Sequence, residues 1–275
     1  LLKGQKLIKT TSEKTIINSS VLGLIFEKIN GYKDGSVFTP SFITEEMTKE
    51  TIEKVILKKF NERYNWTCGT YVQLYNHLDI NNILEYNELI NELKICDPSV
   101  GSGHYLVSVL NELIKVKSKL EILCDKDGQR LKNIEINIEN NELVIRYDDG
   151  NVFDYNLIES GKIYKEKQRI QESIFHEKKT IIENSLFGVD INPNSVQICR
   201  LRLWIELLKS SFYTEESKYL ELQTLPNIDI NIKQGNSLLQ KFGFDENLSS
   251  LFKGKFKVKD YQLMVTKYKE TNDKK

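Results

Sequence analysis

An α/β fold is predicted by three short apolar runs and by the helical patterns between them. Leu93-Lys94-Ile95-Cys96-Asp97 and Leu186-Phe187-Gly188-Val189-Asp190-Ile191 read as buried strands, and Ile228, Ile230 and Ile232 alternate as a third. A glycine turn, Ser99-Val100-Gly101-Ser102-Gly103, joins the first run to a long amphipathic stretch. Strand, glycine turn and helix form the opening half of a βαβ unit.

The first 90 residues read as mostly helical. Ile16, Ile17, Val21, Leu22, Leu24, Ile25 and Ile29 recur at helical spacing, with Gly31 as a stop and a polar loop, GYKDGS, after it. A second helix is expected from about Thr44, as N-cap, to Phe60, and a third over 82–92. Pro98 biases Asp97 towards an extended backbone, which suits a strand end. From Gly103, the positions Leu106, Val109, Leu110, Leu113, Ile114 and Leu120 give an amphipathic helix. Residues 132–149 alternate around Asn140-Asn141 and predict a β-hairpin. A charged helix is expected over roughly 164–183. After the second strand, Asn192 can cap a helix with Pro193 at its first position. That helix, VQICRLRLWIELL, is apolar on most faces and therefore expected to be buried.

Composition narrows the function classes. Of 275 residues, 40% are hydrophobic and 28% charged, enough for a sizeable core and too apolar for global disorder. Thirty-nine basic residues balance 39 acidic ones, which argues against a dedicated basic nucleic-acid binder but not against a local patch. No apolar run approaches membrane-spanning length. Cys68, Cys96, Cys124 and Cys199 are scattered without a CxxC pair, so neither disulfides nor a zinc site is expected, and the cytoplasm is the natural compartment. The chain starts without Met and stops in a charged stretch, which reads as a piece of a longer protein.

Three strand ends carry the candidate chemistry. In Asp97-Pro98-Ser99-Val100-Gly101-Ser102-Gly103, the glycines let backbone N–H groups approach a ligand, and Asp97 can receive an ammonium. A dinucleotide fingerprint would need a third glycine where Leu106 stands, which counts against NAD. Asp190 is placed to take ribose hydroxyls, or simply favours the start of the next helix. Asn236 can read an adenine edge or cap a helix. Jointly, the three deliver polar groups to one edge of one sheet, where open α/β sheets bind ligands.

This set resembles the N6-adenine DNA methyltransferases of permuted motif order, above all the large fused type IIG restriction-modification enzymes. Val37-Phe38-Thr39-Pro40 is similar to their leading TP motif, and Asp97 to Leu106 to their DPxxGSGxF/Yx loop. Phe187 to Pro193 is similar to their acidic strand motif, and Gly235-Asn236-Ser237-Leu238 to their adenine-edge motif. The resemblance covers roughly residues 16–240. It implies a Rossmann-like methyltransferase sheet with S-adenosylmethionine as cofactor. Asp97, Pro98, Gly101 and Gly103 would then hold the methionine end, with Phe38, Thr39 and Pro40 closing over it. Asp190 would take the ribose, Ile191 pack on the adenine and Asn236 contact its edge. Double-stranded DNA would be the partner of the full-length protein, with no membrane involved. The implied organisation is an N-terminal helical segment, 1–90, and a cofactor-binding core, 91–275.

Two features depart from the pattern. Asp97 and Asp190 lie 93 residues apart, so about 124–183 is expected to be an insertion, holding the hairpin and the charged helix and projecting from the sheet. The catalytic (D/N/S)PP(Y/F/W) element is missing: Pro40, Pro98, Pro193 and Pro226 are all isolated. No catalytic residue is therefore assigned, and methyl transfer is not expected from these residues alone. His104 is expected to be a surface or capping residue. Alternatives are a methyltransferase acting on protein, disfavoured by the long insertion and by Thr39-Pro40, and a non-catalytic methylase-like module.

Overall fold

The computed structural model describes residues 19–34, 39–156, 163–239 and 258–270. It is a mixed α/β structure with a three-stranded parallel sheet and a separate hairpin. The elements run α1 (Ser19–Asp34), α2 (Ser41–Tyr64), α3 (Tyr71–Tyr75), α4 (Ile83–Asn91), β1 (Ile95–Asp97), α5 (His104–Lys119), β2 (Ile134–Glu139), β3 (Glu142–Tyr147), α6 (Lys165–Asn184), β4 (Leu186–Asp190), α7 (Pro193–Leu208), β5 (Ile232–Gln234) and α8 (Val258–Glu270). The sheet order is β1-β4-β5, with β4 in the centre. Register pairs Asp97 with Gly188 and Asp190 with Gln234, so all three strands end at one edge.

Close packing fixes that sheet. Gly188 of β4 lies under Val100, and a Cβ there would stand 2.8 Å from Val100 Cγ2. Any larger residue would lift the glycine turn off the sheet. Arg200 of α7 ties the start of β5 down by donating to the Ile232 carbonyl at 2.6 Å. One apolar cluster runs from Ile52, Ile56 and Phe60 of α2 through Leu110 and Leu113 of α5 to Phe175 of α6 and Leu203 of α7. No helix among the described residues is long and apolar enough to cross a membrane.

Several expectations need correction. α1 continues through Gly31 to Asp34 rather than stopping there; a single glycine costs a helix only about 1 kcal/mol. Thr44 does not cap α2. The helix begins at Ser41 behind Pro40, and the buried Thr44 hydroxyl donates back to the Ser41 carbonyl at 2.8 Å. The third strand is shorter than its alternation suggests. Ile228 is buried but lies before a turn at 229–231, where the Asn231 side chain donates to the carbonyls of Ile182, Glu183 and Leu186. That amide clamps the end of α6 to the start of β4, and the local bonds win over a longer ladder.

The hairpin turns at Asn140-Asn141, both at positive φ (53° and 67°), as a two-residue primed turn requires. It does not stand free. Ile136 is buried against α5, the Ser118 hydroxyl accepts from the Ile136 amide at 3.1 Å, and Asn111 donates to the Asn141 carbonyl at 3.0 Å. The charged helix α6 does not project from the sheet at all. Ile170, Ile174, Phe175, Ile181 and Ile182 bury one face of it. Two of its charges are buried as well: Glu177 pairs with Lys117, and the Lys178 ammonium donates to the Glu206 carbonyl at 3.0 Å. Paired charges can be buried where lone ones cannot.

Candidate functional site

The sheet edge is closed by hydrogen bonds between its loops. The Gly101 amide donates to Asp190 Oδ2 at 2.8 Å, and the Asn192 amide to Asp190 Oδ1 at 2.8 Å. The Val100 amide donates to the Val189 carbonyl at 2.9 Å, seating the glycine turn across the end of β4. From the other side, the Gly235 amide donates to the Asp190 carbonyl at 2.9 Å, and the Ser237 hydroxyl to the Pro98 carbonyl at 2.7 Å. The turn after Asp97, the end of β4 at Asp190 and the 235–237 loop thus meet at one edge of the sheet.

Backbone geometry explains the two glycines. Gly101 (φ 53°) and Gly103 (φ 84°) both occupy the left-handed region. Gly103 is also pressed onto α7, where a Cβ would meet Cys199 Sγ at 2.7 Å. Burial pushes the Cys199 thiol up to about 12, so it packs as an apolar group. Gly103 occupies the N-cap position of α5, whose first amides open beside the turn.

Electrostatics at the edge favour a cation. Asp97 Oδ1 accepts from the Ser99 amide at 3.0 Å. Burial, reinforced by the charge of Asp190, nevertheless holds the Asp97 carboxyl above its ordinary range, with the Ser99 bond opposing. A positive group placed between the two carboxylates would offset their repulsion and favour the ionised form of Asp97.

The remaining expected residues fall as follows. Ile191 follows Asp190 with 68% of its surface exposed, an apolar side chain standing free beside the carboxylate. Asn236 Oδ1 accepts from the Leu238 amide at 3.0 Å, a local turn bond that leaves its amide nitrogen uncommitted to that turn. Thr39 and Pro40 are exposed at the start of α2. A cavity of about 140 Å³ lined by Ser41, His104 and Ser108 brings that helix start beside the first turn of α5. Phe38 lies outside the described residues.

Sequence reasoning missed a buried polar cluster behind the glycine turn. The Ser102 hydroxyl donates to Glu27 Oε1 at 2.5 Å, and His104 Nε2 lies 2.7 Å from the same oxygen. Arg202 Nη1 donates to the Ser102 carbonyl at 3.0 Å and to its hydroxyl at 3.1 Å, while Nη2 lies 3.3 Å from His104 Nδ1. His104 is therefore an internal contact of α1, not a surface residue. The signal was Arg202 within VQICRLRLWIELL, a helix whose apolar faces already predicted burial. A buried arginine demands a partner. Among the described residues, no group of His, Cys, Asp and Glu could hold a metal ion.

Fold and geometry together define a mixed α/β protein in which polar groups gather at the carboxyl edge of a parallel sheet. Residues 184–270, from the end of α6 to α8, match the family model of the Eco57I restriction-modification methylase. Over 258 residues, 87% of the chain, the sequence is 31% identical to a protein of Methanocaldococcus jannaschii named as an inferred type II restriction enzyme and methyltransferase. The chain spans 18% of that protein's length. No solved structure matches it. The two sequence matches support a restriction-modification methylase domain in this chain.

Proposed function

We propose that this chain supplies the S-adenosylmethionine-binding part of an N6-adenine DNA methyltransferase of a restriction-modification system, with double-stranded DNA as the partner of the full-length protein. The observation that carries the reading is the convergence of Asp97, the Gly101–Gly103 turn, Asp190 and the 235–237 loop on one sheet edge. On this reading the sheet is a Rossmann-like core within 91–275, and 1–90 is the helical segment that leads into it. The single apolar cluster shared by α2, α5, α6 and α7 makes that boundary a division of roles within one core.

The residues fit the cofactor. An ionised carboxylate has about four acceptor sites. Asp190 uses two on the Gly101 and Asn192 amides, which leaves room for two ribose hydroxyls. Asp97, held above its usual range by burial and Asp190, is suited to an ammonium. Gly101 and Gly103 hold the left-handed backbone that turns the loop's amides, and Ile191 offers an exposed apolar face to an adenine ring. When bound, the cofactor supplies an electrophilic methyl group on a sulfonium. The chain's own residues orient its two ends and leave the methyl to a target base held elsewhere. No residue is assigned to polarise that base, since none of Pro40, Pro98, Pro193 and Pro226 is paired with another proline.

Photo-crosslinking with tritiated S-adenosylmethionine tests the reading. Label is expected in peptides containing residues 97–104, 186–192 or 235–238, competed away by the demethylated product. Label confined to other peptides would overturn it.

A further inference from the structure

We infer that α1 is a clamp on the ligand loop, with Glu27 and Arg202 as positioning residues for the glycine turn. The inference rests on the cofactor reading for its ligand, but the clamp itself is carried by geometry. Ser102 stands between the two left-handed glycines. On one side, the Gly101 amide is held by Asp190. On the other, the Ser102 side chain and carbonyl are held by Glu27 and Arg202. All three members of the clamp are buried, with exposures of 8% for Glu27, 1% for Ser102 and 1% for Arg202. Burial lowers the Arg202 pKa, opposed by Cys199, Glu27 and Glu206. Glu27 therefore supplies part of the negative charge that offsets the burial of that guanidinium.

Shape selects the same contact. Gly23 lies one turn before Glu27 on α1, and a Cβ there would meet Arg202 Nη1 at 2.6 Å. The missing side chain lets the helix close onto the guanidinium. Arg202 then reaches past α1 to the loop carbonyl, so α1, α5, α7 and the turn share one set of charge-assisted bonds. Such a loop is held in place before a ligand arrives, which lowers the ordering cost of binding. The helix that precedes the TP segment thereby supports the turn from behind, through the buried Glu27.

The experiment reads two quantities on the whole chain: amide hydrogen exchange and calorimetric affinity for S-adenosylmethionine. The variants are Glu27→Ala, Glu27→Gln and, as a control, Glu177→Gln in the remote buried pair with Lys117. Glu27→Ala is expected to speed exchange at residues 99–103 about tenfold relative to β4, with Glu27→Gln between it and the wild type. Affinity should fall at least about fivefold in Glu27→Ala, as loss of a charged hydrogen bond predicts. Should Glu27→Ala fail to fold, Glu27→Gln carries the test at a smaller shift. The control should lower stability without a selective change in the loop. Loop exchange in the Glu27 variants that matches the wild type, or rises only in step with β4 as in the control, would overturn the clamp. A looser loop with unchanged affinity would overturn its role in binding. If the wild-type protein does not bind S-adenosylmethionine, the cofactor reading fails, while loop exchange still decides the clamp.

Discussion

The Gly101 amide and the Asp190 carboxylate meet at 2.8 Å, although 89 residues separate them in the chain. A glycine at positive φ after β1 turns its N–H towards the strand beside it, and the acidic end of that strand accepts it. The bond couples the glycine turn to the end of β4, so disturbing either residue should be felt at the other.

Asp190→Ala removes the acceptor of both the Gly101 and the Asn192 amides. Hydrogen bonds to a charged group contribute about 1.5–3 kcal/mol. Affinity for S-adenosylmethionine should therefore fall roughly 10- to 150-fold by calorimetry. A loss below about threefold would leave Asp190 a structural link between the glycine turn and α7 rather than a ligand contact.

Gly103→Ala meets two obstacles: a left-handed backbone and the Cys199 sulfur. Urea unfolding should show a loss of about 1–3 kcal/mol. Repeating the substitution in a Cys199→Ala background removes the steric part and leaves the backbone part, about 1–2 kcal/mol. An equal cost in both backgrounds would mean that the sulfur is not the obstacle.

Asp97 should link ligand binding to a stability cost. Its carboxyl is raised by burial and by Asp190, so the folded state holds a proton where the unfolded state has lost it. Such a group subtracts stability as pH rises from the ordinary aspartate range through its raised value, and the cost persists above that. Asp97→Asn keeps an oxygen for the Ser99 amide and removes the charge. It should raise the unfolding midpoint at neutral pH, and the gain should vanish on acidification below the ordinary aspartate range. The same substitution should weaken S-adenosylmethionine binding. A midpoint that falls at neutral pH would contradict the assignment of Asp97 as a strained carboxylate.

Binding and transfer should separate. Residues 1–275 hold no adjacent prolines to build the base-holding element. Transition-state stabilisation needs the amino group held in line, not the methyl donor alone. Tritiated methyl transfer to mixed-sequence DNA should therefore be undetectable with residues 1–275. Robust incorporation would show that other residues of this chain polarise the base.

What was legible in the sequence was local. A strand end announces itself by an acid or glycine after a short apolar run, and Asn140-Asn141 and Asn192-Pro193 name their own turn and cap. Less legible was which polar groups are buried. Glu27, Glu177 and Lys117 look like surface charges in any window, and only their partners 60 or more residues away make them internal. That is also why α6 read as part of a projecting insertion. Its charges dominate its composition, while the face formed by Ile170, Ile174, Phe175 and Ile181 anchors it in the core. Asn231 likewise shortened a strand through three carbonyl contacts that no alternation of residues reveals.

The central claim is that the edge of β1, β4 and β5 binds S-adenosylmethionine, and parallel calorimetric titrations of the protein with S-adenosylmethionine and with NAD test it most directly. Saturable one-site binding of S-adenosylmethionine, lost or strongly weakened in Asp190→Ala and absent for NAD, is the predicted result. Binding of NAD with none of S-adenosylmethionine would contradict the account.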